Sequence, residues 1–441
     1  MKKKSASPRK ERRELNRAKR RDIRWERLDN TAHLFPVIAD SNMSNVYRIS
    51  VTLAEEIQQE LLQKALSLVL PRLEGFNLRL RKGVFWYYFE ENGKPAPKVR
   101  QESTYPCQFI VQNKNRSYMF RVTYYGCRIN LEVFHVLTDG MGGINFLKEL
   151  TYQYLRLAHP EQFPDDHLSS DTSLNREDSF LENYRRSHPK EYKTKKAYQI
   201  KGEKLPKGEL GVIHGYVNTP QLKEVCRGYG VSINEYLVAA FAYSVYRQCH
   251  RGRAGQAPIR IAVPVNLRPY FDSVTTKNFF VMVSAEFIPE EAHGEYSFQE
   301  VAHIIRDSLR SQITKEHLEN LFSYNVSNQM NFMARAVPLF LKNIAIKMVY
   351  TSAALANTST VTNIGNIAVE DSYRPYIKSF HALLAMSKGQ NVKGTICSYG
   401  DTLSFSFSSR LAAPLVQRGF FRQLSQDGLD VEIESNGVYY V

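Results

Sequence analysis

The residues whose types and spacing suit chemistry form one short string, His135-Val136-Leu137-Thr138-Asp139-Gly140. A histidine at a strand end, facing a crevice and held in one tautomer, is well suited to take a proton near neutral pH. The carboxylate four residues on would pair with an arginine and lock the turn that presents the ring. Gly140 would give that turn a backbone conformation that a residue with a Cβ resists. The plain alternative for His135 is a core histidine with both ring nitrogens satisfied. Gly142 and Gly143 raise a further reading, a helix start that cradles phosphate. No P-loop lysine accompanies them, so a tight turn fits them better.

Elements must place these residues. Residues 118–125 and 128–135 flank Gly126 and read as a hairpin. Helical periodicity runs over 144–157. The histidine therefore falls at a strand end, and the aspartate in the turn that enters a helix. Upstream, 45–53 alternates as a strand, 55–70 has the spacing of an amphipathic helix stopped by Pro71, and the aromatic run 84–89 reads as a strand. Residues 160–208 are polar and charged and read as a connection. A second cycle follows, with strands at 211–217, 259–265 and 279–287 and helices from Thr219, from Ser232 as a cap, and over 298–314. Strands at 361–369, 377–384, 392–398, 403–407 and 431–434, with a helix at 411–424, complete the chain. The apolar segment 337–350 carries Lys342 and Lys347 and is too short to span a bilayer. A buried or channel-lining helix is expected there, in preference to an interfacial one.

At 441 residues the chain exceeds what one core usually supports, so two lobes are expected. The divisions are a basic tail (1–27), an N-terminal lobe (28–185), a charged linker (186–210) and a C-terminal lobe (211–441). Both lobes read as α/β, a mixed sheet with helices. Hydrophobic residues make up 43%, which suits a globular protein. The five cysteines are scattered and include no C-x-x-C pair, which argues against a disulfide framework, against a structural zinc site, and for a reducing compartment. No other metal site is expected. Net charge is +15, yet residues 1–27 hold thirteen Lys or Arg and four Asp or Glu, so most of the excess sits in the tail. The tail lacks the apolar stretch of a secretory signal. It reads either as a solvated extension or as an electrostatic patch for an anionic membrane surface, a nucleic acid or an acidic partner. A cytoplasmic protein is expected, with peripheral attachment at the inner membrane face if the tail binds lipid. The body is only mildly basic and lacks interleaved basic and aromatic residues, so specific nucleic-acid binding is not expected.

With this string at a strand-to-helix junction, the sequence resembles the chloramphenicol-acetyltransferase-like (HxxxDG) acyltransferase superfamily. It is most similar to bacterial alcohol acetyltransferases and condensation-domain-like proteins. Three other stretches fit: Phe76-Asn77-Leu78-Arg79-Leu80-Arg81, Ile261-Ala262-Val263-Pro264-Val265-Asn266-Leu267-Arg268 with Asn278-Phe279-Phe280 after it, and Thr360-Val361-Thr362-Asn363-Ile364-Gly365. The resemblance covers about residues 25–441. The D-F-G-W-G motif of the plant branch is absent. The resemblance implies two chloramphenicol-acetyltransferase-like lobes with an active-site channel between them. It implies transfer of an acyl group, acetyl above all, from a coenzyme A thioester to an alcohol hydroxyl, with His135 as general base. Coenzyme A would be a co-substrate, with no permanently bound cofactor. A carrier-protein donor or an amine acceptor is the related alternative. A non-catalytic scaffold that binds an anionic surface or nucleic acid is the alternative of another class. Asp139 would point away from the channel toward an arginine, Arg79 first and Arg268 second. Ser359 and Thr360, or nearby backbone N–H groups, would supply oxyanion donors. Asn266 and Arg268 could equally close a strand and pair locally.

Overall fold

The computed structural model describes residues 24–186, 195–250, 257–330 and 337–439. Residues 1–23 of the tail and 187–194 of the linker lie outside the described residues, so the expectations for them are not addressed by the fold. The N-terminal half supplies strands β1 (Trp25–Arg27), β2 (Val46–Leu53), β3 (Leu78–Lys82), β4 (Tyr87–Glu91), β5 (Arg100–Gln101), β6 (Phe120–Tyr125) and β7 (Arg128–Phe134). Its long helices are α1 (Gln59–Val69) and α2 (Gly140–Ala158). The C-terminal half supplies β8 (Gly211–Asn218), β9 (Ile259–Asn266), β10 (Phe280–Phe287), β11 (Ser359–Asn366), β12 (Ile377–Leu384), β13 (Val392–Tyr399), β14 (Thr402–Ser409) and β15 (Glu432–Ser435). Its helices are α3 (Thr219–Tyr229), α4 (Ile233–Val245), α5 (Phe298–Gln312), α6 (Lys315–Met330), α7 (Leu339–Ala354) and α8 (Leu415–Gln426).

Local chemistry explains the boundaries. In α1, Leu62, Ala65, Leu66 and Val69 are spaced by three and four and are buried together. Ser232 with Glu235 and Ser297 with Glu300 form capping boxes that start α4 and α5. The sheets then separate the chain into two lobes. A five-stranded sheet runs β12-β2-β7-β6-β5, and a seven-stranded sheet runs β10-β9-β11-β13-β14-β8-β15. Each sheet has its own large apolar cluster. The five-stranded sheet is completed by a strand from the far half: β12 pairs antiparallel with β2, with Ala382 opposite Ile49. A small third sheet, β1-β4-β3, is built entirely from residues before 92.

Two segments differ from their sequence expectation. The aromatic run 84–89 is not one strand. Gly83 N–H donates to the Trp86 carbonyl (2.9 Å), which makes 83–86 the tip of a hairpin and starts β4 only at Tyr87. Val84, Phe85 and Trp86 are consequently exposed. The segment expected to be a buried or channel-lining helix forms α7, and Tyr350 and Ala354 do line a cavity. However, Phe340, Leu341, Ile344, Met348 and Val349 face outward. A helix with large apolar residues on both its inner and its outer side cannot bury them all against a single wall.

Candidate active site

β7 ends at Phe134, and the backbone N–H of His135 donates to the Asn45 carbonyl (3.0 Å), which fixes the residue just past the strand end. Its imidazole stacks on Phe35 (centroids 4.5 Å apart) and meets the Tyr47 ring edge-on (5.1 Å). Nδ1 lies 3.1 Å from Oδ1 of Asn278. The Asn278 amide is oriented by its other end, because Nδ2 donates to buried Asp29 (2.9 Å) and a carboxyl oxygen accepts. Oδ1 therefore faces the ring, Nδ1 carries the proton, and Nε2 is left as the basic nitrogen. Burial holds the His135 pKa below its ordinary value; the Asp139 charge and the Asn278 bond oppose that shift. Burial pushes the Asp29 carboxyl up to about 7, against hydrogen bonds from Asn278 and the Ala32 N–H.

Asp139 caps α2 by accepting from the N–H groups of Met141 and Gly142. Its carboxylate also takes a two-pronged pair from Arg268 (2.9 and 3.1 Å) and the N–H of Phe279 (3.0 Å). The guanidinium is used to the full: it also donates to Asn266 Oδ1 and to the carbonyls of Thr275 and Lys277. The first-choice partner, Arg79, is elsewhere. It pairs with Glu90 across the small β3–β4 hairpin (2.8 Å), where a facing carboxylate lies on the neighbouring strand.

Gly140 does not need its freedom. Its backbone is not left-handed, and an added Cβ would stand an ordinary 3.9 Å from Ile364. The demand falls on the next two glycines. A Cβ on Gly142 would come within 1.9 Å of the Thr138 hydroxyl and 2.5 Å of the Thr276 carbonyl. One on Gly143 would come within 2.7 Å of the Tyr47 hydroxyl. These glycines serve close packing of the helix start.

The ring of His135 lines a cavity of about 370 Å³ whose walls come from both lobes. Thr360 reaches it, but its hydroxyl donates to Gln390 Oε1 (2.8 Å). Ser359 does not reach it: adjacent strand residues face opposite ways, and its buried hydroxyl donates to the Val392 carbonyl (2.6 Å). Thr362, two residues past Thr360, lines the cavity with a hydroxyl that has no partner among the described residues. Strand alternation alone would have paired Thr362 with Thr360. Asn278 lies in one of the stretches that carry the resemblance, but nothing in the sequence pattern marks Asp29 or joins the two, because their meeting is a tertiary event across 249 residues.

Asp139 and Arg268 neutralise each other at the wall. Arg48 is matched by Glu102 and Glu132. Lys393 also lines the cavity and donates to the Ser387 hydroxyl (2.6 Å). Burial brings its pKa down to about 7; the nearby Cys107 opposes the shift and Arg410 adds to it. Among the described residues no cluster of His, Cys, Asp and Glu has the makings of a metal site.

No protein-family model matches the sequence, and no curated protein matches it. Solved structures do. TRI101 of F. sporotrichioides, solved with coenzyme A and T-2, superposes with a TM-score of 0.64 over 93% of this chain and 99% of its own, at 10% identity. Polyketide synthase associated protein 5 of Mycobacterium tuberculosis gives 0.58 over 90% and 96%, at 13% identity. The starter condensation domain of rhizomide synthetase RzmA, solved with C8-CoA and Leu-SNAC, gives 0.54 over 90% and 93%, at 13% identity. The chain thus has the two-lobed fold of the chloramphenicol-acetyltransferase-like acyltransferases.

Proposed function

We propose that the chain is an acyltransferase that moves an acyl group, acetyl above all, from a coenzyme A thioester to an alcohol hydroxyl, with His135 as general base. The observation that carries this reading is the His135–Asn278–Asp29 chain at the wall of a cavity between the lobes. A ring held with Nδ1 protonated and a depressed pKa is neutral at pH 7 and ready to accept a proton at Nε2. In the reaction, Nε2 would take the hydroxyl proton as the oxygen attacks the thioester carbonyl. The tetrahedral oxyanion would accept a hydrogen bond from Thr362, with Thr360 beside it. Collapse would expel the coenzyme A thiolate, which takes the proton back from the imidazolium. No acyl-enzyme is required. Asp139 and Arg268 would hold the turn and the two lobes rather than touch substrate.

Likeness to structures solved with coenzyme A or C8-CoA supports the donor. The condensation-domain neighbours favour a second reading, a carrier-protein thioester or an amine acceptor. Thiol release from acetyl-CoA over a panel of alcohols and amines separates these. Release that depends on an alcohol and falls by roughly two to four orders of magnitude in His135→Ala supports the proposal. Turnover by His135→Ala near the wild-type rate would sink it.

A further inference from the structure

α7 and the tip of the β3–β4 hairpin form one surface. The Leu339 N–H donates to the Val84 carbonyl (2.9 Å), Lys342 Nζ to the Phe85 carbonyl (3.0 Å) and Asn343 Nδ2 to the Tyr87 hydroxyl (3.0 Å). On this joined surface Val84, Phe85, Trp86, Phe340, Leu341, Ile344, Met348 and Val349 are exposed, Met348 and Val84 by 70% or more. A soluble surface tolerates single apolar residues; a contiguous set this large marks an interaction site. Its charge is one-sided. Residues 82–88 and 337–354 contain Lys82, Lys342 and Lys347 and no Asp or Glu, while Arg81 beside them is paired with Glu90. The strongly basic tail joins the same small sheet, since it leads into β1, which pairs with β4.

We infer that this face docks on a lipid bilayer containing anionic lipids, with Trp86, Phe85 and the outer side of α7 entering the interface and Lys82 and Lys347 meeting the headgroups. The chemistry matches that occupant. Helices that lie in a membrane surface set large apolar side chains against Lys and Arg, and Trp prefers the headgroup level. Lysine stems bury along the apolar surface while the ammonium stays in water. α7 is not long and apolar enough to cross the membrane, nor is any helix among the described residues. The inner side of the same helix supplies Tyr350 and Ala354 to the cavity and packs on the short helix Phe35–Ile38, whose Phe35 stacks on His135. The docking face and the wall of the site are thus two sides of one element. The inference does not rest on the acyl-transfer reading.

The sequence has two tryptophans, Trp25 and Trp86, so Trp25→Phe leaves Trp86 as the only indole reporter. The experiment adds vesicles of phosphatidylcholine, with or without 30% phosphatidylglycerol, to this 441-residue chain, and reads emission and co-sedimentation. The expected result is a blue shift of Trp86 and binding with the anionic vesicles, weaker with the neutral ones. Adding Phe340→Ser and Met348→Ser, both at exposed positions, should lower vesicle affinity by ten-fold or more with an unchanged melting temperature. Deleting residues 2–23 should weaken binding at low salt yet leave the blue shift. Binding without a blue shift, or equal binding by the serine variant, would assign attachment to the tail alone and overturn the proposal. So would an absence of binding, including the case where the serine variant instead abolishes a dimer.

Discussion

At His135 the two ring nitrogens have different tasks. Nδ1 is spent on Asn278, and only Nε2 remains to move a proton. Because the depressed pKa comes mainly from burial, the neutral form persists on the acid side of the ordinary histidine value. The sign follows directly: a base works unprotonated, so kcat/KM should be level above pH 7 and fall on acidification, with an apparent pKa below 6.5. A pH–rate profile checks this; a rate that rises as pH drops through 6 would mean that His135 acts as an acid. Asn278→Ala frees the ring to rotate and to choose the other tautomer. Its kcat should fall roughly ten- to a hundred-fold, short of the loss in His135→Ala, and its acid limb should shift. Asp139→Ala makes a different demand. It strands a guanidinium that is only 10% exposed and removes the cap of α2, so stability should drop by roughly 3–5 kcal/mol, read as a lower melting temperature.

Helix α2 shows what its own sequence can and cannot announce. Periodicity and the Asp139 turn place it, since the cap acts within three residues. The function of its glycines is settled by what lies across from them. Gly142 abuts Thr138 and the Thr276 carbonyl, which arrives from the other lobe. Gly142→Ala should therefore lower the melting temperature, whereas Gly140→Ala should leave it nearly unchanged; thermal denaturation of the pair decides between them. The same logic explains the rest of the site. The strand end at His135, the turn at Gly126 and the HxxxDG string are local and were legible. Arg79 lost the aspartate to Arg268 because Glu90, on the adjoining strand, claims it first. Ser359 and Thr362 exchange importance through alternation once the register of β11 is known. Asp29 meets Asn278 only after the chain has folded, and no spacing rule reaches that far.

In the whole molecule, the lobes are joined by polar contacts as well as by apolar packing. His381 on β12 donates Nε2–H to the Tyr216 hydroxyl on β8 (2.9 Å), which in turn donates to Glu434 (2.7 Å). Burial lowers the pKa of His381 and of His33 to about 4, and that of His214 well below its usual value. The unfolded chain takes up these protons near pH 6.5 while the folded one refuses them. The contribution of these histidines should therefore be full above pH 6.5 and decline progressively toward pH 4. Asp29, shifted upward, offsets part of that loss. Melting curves between pH 7 and pH 4.5 test it, and a constant midpoint would contradict it. The crossing strand has a consequence during synthesis. β2 leaves the ribosome more than three hundred residues before β12. Until then its outer edge carries unpaired N–H and C=O groups, ready to pair with a second nascent chain. A polypeptide ended near residue 200 should keep that edge open and aggregate, and supplying residues 201–441 in the same cell should restore it to the soluble fraction.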